Sequence, residues 1–402
     1  MTTPFQLSDL PFEIVEMIVC KLESRDLWNL RLVSRTIAAS IQARYESFFI
    51  TKTIQLESTA VSRFAATTQD SHFAGLLQNL KLTGTERSQG IDFFRSGDAD
   101  ILSTALRSLG SLYKQNQKYF LRRLTAGVTE EATPSSKAIS QSTAASNLAV
   151  KTTLRVANDS EILIEKIDLL YHSLECSVPC CMFKSPFGSV QPSYNWSALR
   201  CLSLSLTHHA RYGAEVGLDD TDGIAVDNPP RESGAAGTQR VEALVDFFSL
   251  IPNIEELNLH WHGKQYYALR ESDAEVVEKN WFDQVSLAVA FHKLKHLVLR
   301  GLYLTQCTLQ KVLTTPSLQQ VRLEDIHLRG SLRPILDILT APNTAITQFY
   351  LNKLYERRVT LVHFANEGRS EFPYSGSWLG SSTVLRKGKD VMLPLEYGYA
   401  DV

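Results

Sequence analysis

Three groupings in the chain carry side chains that could do chemistry. The first is His172-x3-Cys176-x3-Cys180-Cys181, which gathers nitrogen and sulfur donors of the kind zinc takes. Zinc sites commonly draw four such ligands from paired short spacings; these gaps depart from that form and no second pair follows, so the group reads as structural thiols or a surface loop. His208-His209 and His260-x-His262 could act as bases or ligands, but neither stands beside a nucleophile or carboxylate pattern. Asp219, Asp220 and Asp222 offer oxygen ligands without the spacing or the terminal glutamate of a calcium loop. No G-x-S-x-G, phosphate-binding loop, dinucleotide fingerprint or H-E-x-x-H occurs. The expectation is a protein without catalytic residues, metal or cofactor.

Composition bounds the rest. At 44% hydrophobic and 21% charged, the 402 residues can form ordinary globular cores, in two or three domains. A net charge of −2 argues against nucleic acid or an anionic membrane as the main partner, since both are bound through basic patches. No apolar run reaches the roughly 18 residues of a membrane-crossing helix. The opening MTTPFQLSDL lacks a basic region followed by an apolar one, so no secretory leader is expected. Six irregularly spaced cysteines fit reduced thiols in cytosol and/or nucleus.

What, then, do the elements position? Ser8–Arg35 is patterned along its whole length. Pro11 suits a first helical turn, with Ser8 or Asp9 as cap, and Ile14, Ile18 and Leu22 recur every four residues beside Val15 and Val19. Ser24 can cap a second helix carrying Leu27, Leu30 and Val33; a third is expected over Ile37 to Phe48. Three such short helices cannot bury all these aliphatic groups, which leaves Leu10, Val15, Val19, Leu27 and Leu32 as an exposed patch of the kind that marks a partner site.

Leu10-Pro11-x-Glu13-Ile14, Ile18, Leu22, Asp26-Leu27, Leu30 and Arg31-Leu32-Val33-Ser34-Arg35 together resemble an F-box over about 40 residues. One position departs: Ile37 stands where the family often has Trp. The resemblance implies docking onto the Skp-family adaptor of a cullin-RING ubiquitin ligase, through Leu10, Pro11, Ile14, Ile18, Leu22, Leu27, Leu30 and Val33. Leu10→Asp or Leu27→Asp is then expected to abolish docking while the remainder stays folded.

Beyond residue 50 an L-x-x-L-x-L element recurs. Its copies end Leu80-Leu82, Ile167-Leu169, Leu202-Leu204, Leu257-Leu259, Leu297-Leu299, Val321-Leu323 and Phe349-Leu351, with Ile54-Leu56 as a degenerate first copy. Steps between middle positions run 87, 35, 55, 40, 24 and 28 residues, and the last two fall in or near the leucine-rich-repeat period. Alternating leucines suit a half-buried strand, and helical stretches such as Val241–Ser249, Trp281–Phe291 and Leu332–Leu339 lie between copies. One unit cannot bury its apolar face, whereas a stack can. The fold expected is therefore α/β: a three-helix F-box, then an irregular leucine-rich-repeat solenoid with parallel strands and outer helices, similar to the leucine-rich regions that often follow an F-box.

The boundaries read as 1–50 for the F-box, then 51–125 for the first repeats with an inserted helix of period Leu102, Leu106, Leu109, Leu112 and Phe120. An Ala/Ser/Thr-rich mobile linker is expected at 126–152. The main repeats follow at 153–354 with a Gly/Pro/acidic surface loop at 210–238, and 355–402 forms a terminal cap with a loosely tethered tail.

Residues between the repeat leucines face away from the core. Lys81, Asn258, His260, Arg300, Arg322, Glu324, Tyr350 and Asn352 are the expected contacts to a protein target, because Arg and Tyr concentrate binding energy and a solenoid's open sheet is its natural recognition surface. The reading is a non-enzymatic substrate receptor of an adaptor–cullin ligase. A scaffold that binds the adaptor without directing ubiquitination is the alternative, and an enzyme built around His172 and Cys176 the remote third.

Overall fold

The computed structural model describes residues 10–69, 75–84, 96–116, 121–128, 136–160, 162–171, 177–183, 194–207, 234–262, 273–365 and 380–399. The chain begins with α1 (Phe12–Val19), α2 (Ser24–Val33), α3 (Arg35–Ser40) and α4 (Gln42–Ile50). Pro11 sits at the N-cap of α1, one place before the expected first turn. Ser24 lies inside α2, whose N-cap is Glu23 without a side-chain bond; the capping serine is Ser34, which accepts the Thr36 N–H at 3.2 Å. The single third helix expected over 37–48 is broken at Ile41 (φ −98°, ψ 1°). The Ser40 hydroxyl donates back to the Thr36 carbonyl at 3.0 Å, a bond that bends helices.

Val15, Val19, Leu27, Ile37 and Ile41 fill the centre of this bundle, with Leu10, Leu22 and Leu30 packed around them. The Arg31 guanidinium lies 3.7 Å from the Tyr45 ring centroid, fastening α2 to α4.

The rest is mixed α/β around one large, mostly parallel sheet. Its strands are β1 (Thr51–Gln55), β2 (Asn79–Gly84), β3 (Leu121–Val128), β4 (Ile164–Leu169), β5 (Val178–Pro179), β6 (Cys201–Thr207) and β7 (Glu256–Trp261). They continue as β8 (His296–Arg300), β9 (Tyr303–Thr305), β10 (Gln320–Arg329), β11 (Gln348–Glu356), β12 (Thr360–Phe364), β13 (Thr383–Lys387) and β14 (Tyr397–Tyr399). The order β1-β2-β3-β4-β6-β7-β8-β10-β11 is parallel throughout.

Register makes the repeat visible as two rows. Leu80, Leu124, Ile167, Leu202, Leu257, Leu297, Val321 and Phe349 are neighbours across the sheet; two residues on, so are Leu82, Ala126, Leu169, Leu204, Leu259, Leu299, Leu323 and Leu351. None of these is more than 2% exposed. The anticipated copies all fall on strands, and β1 joins them displaced: Ile54 pairs with Leu82, not Leu80. A two-residue slip keeps the same face buried, so the pattern of Ile54 and Leu56 could not fix it.

Two expectations are overturned. Leu121-x-x-Leu124-x-Ala126 is a further copy, on β3; among the described residues of the expected inserted element, Ser96–Asn116 is helix. Alanine in the last position and the helical spacing running into the strand concealed it. Nor do the described parts of 126–152 form a mobile linker. Its first residues end β3, and Ser136–Asp159 is a helix whose Ala145, Ala149, Val150 and Leu154 are buried. Small residues suit this helix because it rests close on the sheet: a Cβ on Gly84 would come within 2.1 Å of the Ala145 carbonyl oxygen. Most of the expected loop 210–238 lies outside the described residues, and Gly234–Ser249 is already helical. Trp281–Ala288 and Arg333–Leu339 are the other expected helices, each slightly shorter than its pattern.

β8, β10 and β11 bend at one register. Gly301 (φ 69°), Asp325 (φ 53°) and Lys353 (φ 52°) each follow the paired Arg300, Glu324 and Asn352, and beyond them the strands pair again. On this second facet Tyr303, His327 and Tyr355 stack, with centroids 4.4 and 4.5 Å apart. Burial lowers the His327 pKa, and its Nδ1 lies 2.7 Å from the Arg358 carbonyl.

The described C-terminal residues are docked, not loosely tethered. β12 turns back on β11, β14 pairs with β12, and β13 lies antiparallel along β11 from Gln348 to Asn352. The β11–β12 turn places Arg357 (φ 52°) and Arg358 (φ 73°) both in the left-handed region, where such a turn prefers Asn-Gly. Arg358 is engaged, its guanidinium donating to Asn280 at 3.0 Å. Arg357→Asn is therefore expected to raise stability in chemical denaturation, by about 0.5–1 kcal/mol, by relieving backbone strain.

Candidate functional site

Two surfaces emerge. The first lies on the opening bundle. Burial there divides the expected adaptor contacts: Leu27 is fully buried, Leu10, Leu22 and Leu30 are half-buried, and Pro11, Ile14, Ile18 and Val33 are exposed. The expected patch is corrected accordingly, since Val15, Val19 and Leu27 are core; Ile37 and Ile41 close over them, a contribution that three isolated amphipathic helices do not suggest. What remains outside is still apolar. Ile14, Met17 and Ile18 occupy one face of α1 at i, i+3 and i+4, and are 39%, 66% and 38% exposed. Leu32 and Val33, at the end of α2, are 81% and 70% exposed. Met17 had not been singled out, although its spacing from Ile14 was legible.

The second surface is the sheet face opposite the leucine rows. Lys81, Thr125, Asp168, Ser203, Asn258, Val298, Arg322 and Tyr350 form one row across the strands. His260, Arg300, Glu324 and Asn352 form the next. Expected contacts thus share a face, but not one condition. Lys81, Arg300 and Arg322 are exposed; His260, Glu324, Tyr350 and Asn352 are intermediate. Asn258 is buried, its amide donating to Ser203 at 3.1 Å and to Glu256 at 2.7 Å, so it braces the face.

At the C-terminal half, Glu324 lies between two cations. Arg322 Nε donates to it at 2.6 Å and Arg300 Nε lies 3.6 Å away. The Arg322 guanidinium also sits 4.8 Å from the Tyr350 centroid, and Asn352 accepts a hydrogen bond from Thr383 at 2.9 Å. Tyr171, just past β4, belongs to this neighbourhood and was missed. Burial raises its pKa, Glu324 raises it further, and Arg322 and Arg300 oppose.

The middle of the face carries Cys201 and His260. Burial, then the Glu256 carboxylate, pushes the Cys201 thiol up to about 11. Burial, then Arg300 and His262, pushes His260 down to about 4; its Nδ1 lies 3.3 Å from the Ser205 hydroxyl. Because His260 is neutral when folded but titrates near 6.5 when unfolded, the unfolded chain binds more protons between those values. Stability is expected to fall as pH drops from about 6.5 towards 4, and His260→Gln to flatten that part of a pH–stability profile.

The N-terminal end holds Arg123, on the unforeseen β3, paired with the buried Asp168 at 2.6 Å. Among the described residues, no group of three or more His, Cys, Asp or Glu could hold a metal ion. Cys180 is buried; His172, Cys176, His208, His209, Asp219, Asp220 and Asp222 lie outside the described residues. Among the described residues no helix is long and apolar enough to cross a membrane.

A bundle that fills its own core yet displays apolar side chains, joined to a sheet with a charged open face, is the build of a protein-interaction module. Residues 7–45 match the family model described as F-box domain, and that domain implies a role in protein–protein interaction. No curated protein matches the chain as a relative.

Proposed function

We propose that this chain is the substrate-recognition subunit of a cullin-RING ubiquitin ligase, docking through its F-box on a Skp-family adaptor and holding a protein target on the open sheet face. The observation that carries the reading is the apolar set Ile14, Met17, Ile18, Leu32 and Val33, left exposed within the F-box match after the bundle core is filled. The sheet is read as an irregular leucine-rich-repeat solenoid, supported by its parallel strands and two rows of buried aliphatic side chains. Exposed Lys81, Arg300 and Arg322, with Tyr350, supply the polar and aromatic contacts that a protein target uses. The chain does no covalent chemistry itself; it raises the effective concentration of a target beside the ubiquitin-charged partner. It works in the cytosol and/or nucleus.

Affinity purification of the full chain, with the proteasome blocked, tests this. Co-retention of adaptor, cullin and ubiquitinated clients is expected. Adaptor retained without cullin or ubiquitinated clients would instead make the protein a scaffold.

A further inference from the structure

Past the bend at Asp325 and Lys353, β10 and β11 end side by side. Leu328 and Glu356 are their last paired residues, so Arg329 and Arg357 follow at adjoining strand ends. The Leu328 carbonyl accepts from the Arg358 N–H at 3.0 Å, which leaves Arg357 outside the ladder. Both Arg329 and Arg357 are exposed. Among the described residues neither has an ion pair or a side-chain hydrogen bond.

The surroundings do not neutralise them. Lys279 lies 3.8 Å from the Tyr303 ring centroid, at one end of the Tyr303–His327–Tyr355 stack, and Arg358 reaches Asn280 beside it. Glu356 is buried, and accepts the Leu332 N–H at 2.8 Å and the Tyr399 hydroxyl. Its carboxylate is therefore committed to the interior.

The fold holds this arrangement against local preference. Like charges at neighbouring strand positions repel. Arg357 and Arg358 both take the left-handed backbone, φ 52° and 73°, that Asn-Gly adopts freely. Arg358 repays its strain by fastening the turn to Asn280. Arg357 has no such bond, so stability gives no reason for an arginine there. A strained residue whose charge is left in water marks a surface kept for binding. Beside it Val359 is 80% exposed.

We infer that this rim, formed by Arg329, Arg357 and Val359, docks an acidic, extended segment of a partner protein, at a site separate from the open sheet face. Guanidinium forks take carboxylates through paired hydrogen bonds. Val359 adds an apolar contact that suits a peptide and has no use for a nucleic-acid backbone. The rim lies beyond the bend, whereas Arg300, Arg322 and Tyr350 lie before it. Docking here does not depend on the ligase reading. Because exposed charges carry the contact, affinity falls as salt rises.

The test is fluorescence anisotropy on the full chain at low salt with three labelled probes: a short peptide of alternating glutamate and leucine, its twin with glutamine for glutamate, and a short DNA duplex. The acidic peptide is expected to bind and the other two not to. Arg329→Gln and Arg357→Asn should each weaken it by about fivefold or more, and Val359→Ser by about twofold. Arg357→Asn also separates binding from folding, because the same variant is expected to be more stable than wild type. DNA bound as tightly as the acidic peptide would overturn the peptide assignment. Equal binding of the twin, or no binding by any probe, overturns the surface. So does weakening by Arg322→Gln with Arg329→Gln and Arg357→Asn binding as wild type, which places the peptide on the open face. Adaptor and cullin retention is read separately and bears on the ligase reading alone.

Discussion

Ile18→Asp is expected to abolish capture of a Skp-family adaptor and leave the protein folded. Ile18 sits between Ile14 and the α1 terminus, 38% exposed with no partner present, so a carboxylate there is tolerated in the free chain. Docking would strip that carboxylate of water against an apolar surface, which weakens binding by roughly 3 kcal/mol, on the order of a hundredfold. Leu27→Asp gives the same negative pull-down for another reason. Leu27 is 0% exposed at the centre of the bundle, and a charge there unfolds α1 to α4. Circular dichroism separates the two: helical signal should be retained in Ile18→Asp and diminished in Leu27→Asp. Adaptor retained at wild-type level by Ile18→Asp would remove α1 from the interface.

Gly84→Ala is expected to destabilise the sheet domain by about 3 kcal/mol, a large effect for one methyl group. The added Cβ would stand 2.1 Å from the Ala145 carbonyl oxygen and 2.9 Å from its Cα, both backbone atoms that cannot swing aside. Either β2 or the Ser136–Asp159 helix must shift, opening the contact that Ala149, Val150 and Leu154 make with the core. Gly97→Ala is the control, since nothing lies within 4 Å of its Cβ; it should be neutral or slightly stabilising. Equal denaturation midpoints for Gly84→Ala and wild type would show that the helix does not rest so closely on the strand.

How much of this was legible follows from how strongly each residue type constrains its surroundings. Paired leucines two apart are a direct signal for a strand with one buried face, and Leu257-Leu259 or Leu297-Leu299 could hardly be read otherwise. Ala126 carries little of that signal, and β3 was hidden with it. The Ala/Ser/Thr run at 136–159 shows the same limit: low bulk reads as failure to bury a core, yet it is what close helix–sheet packing requires. Within the opening bundle the spacing identified apolar positions but not their direction. Ile14 and Val15 are adjacent and equally aliphatic; only the placement of Ile37 and Ile41 decides that one is core and the other surface. Likewise Lys81 was legible as an open-face residue, but its bed over Gly127, where a Cβ would meet its Cε at 2.8 Å, depends on a strand the pattern did not reveal. Tyr171 falls beyond the end of β4, and its approach to Glu324 reflects the shape of the whole sheet.

The antiparallel strand Thr383–Lys387 also bears on synthesis. Each parallel strand pairs with one already made, so the sheet can grow as the chain leaves the ribosome. The edge of β11 along Gln348–Asn352, by contrast, stays open until Thr383–Lys387 emerges to supply β13. An open strand edge invites pairing with another chain. A product that stops short of residue 380 keeps both the F-box and the charged face but loses its edge guard. Such a truncation is a hazard for aggregation, even though every surface assigned a role here is intact.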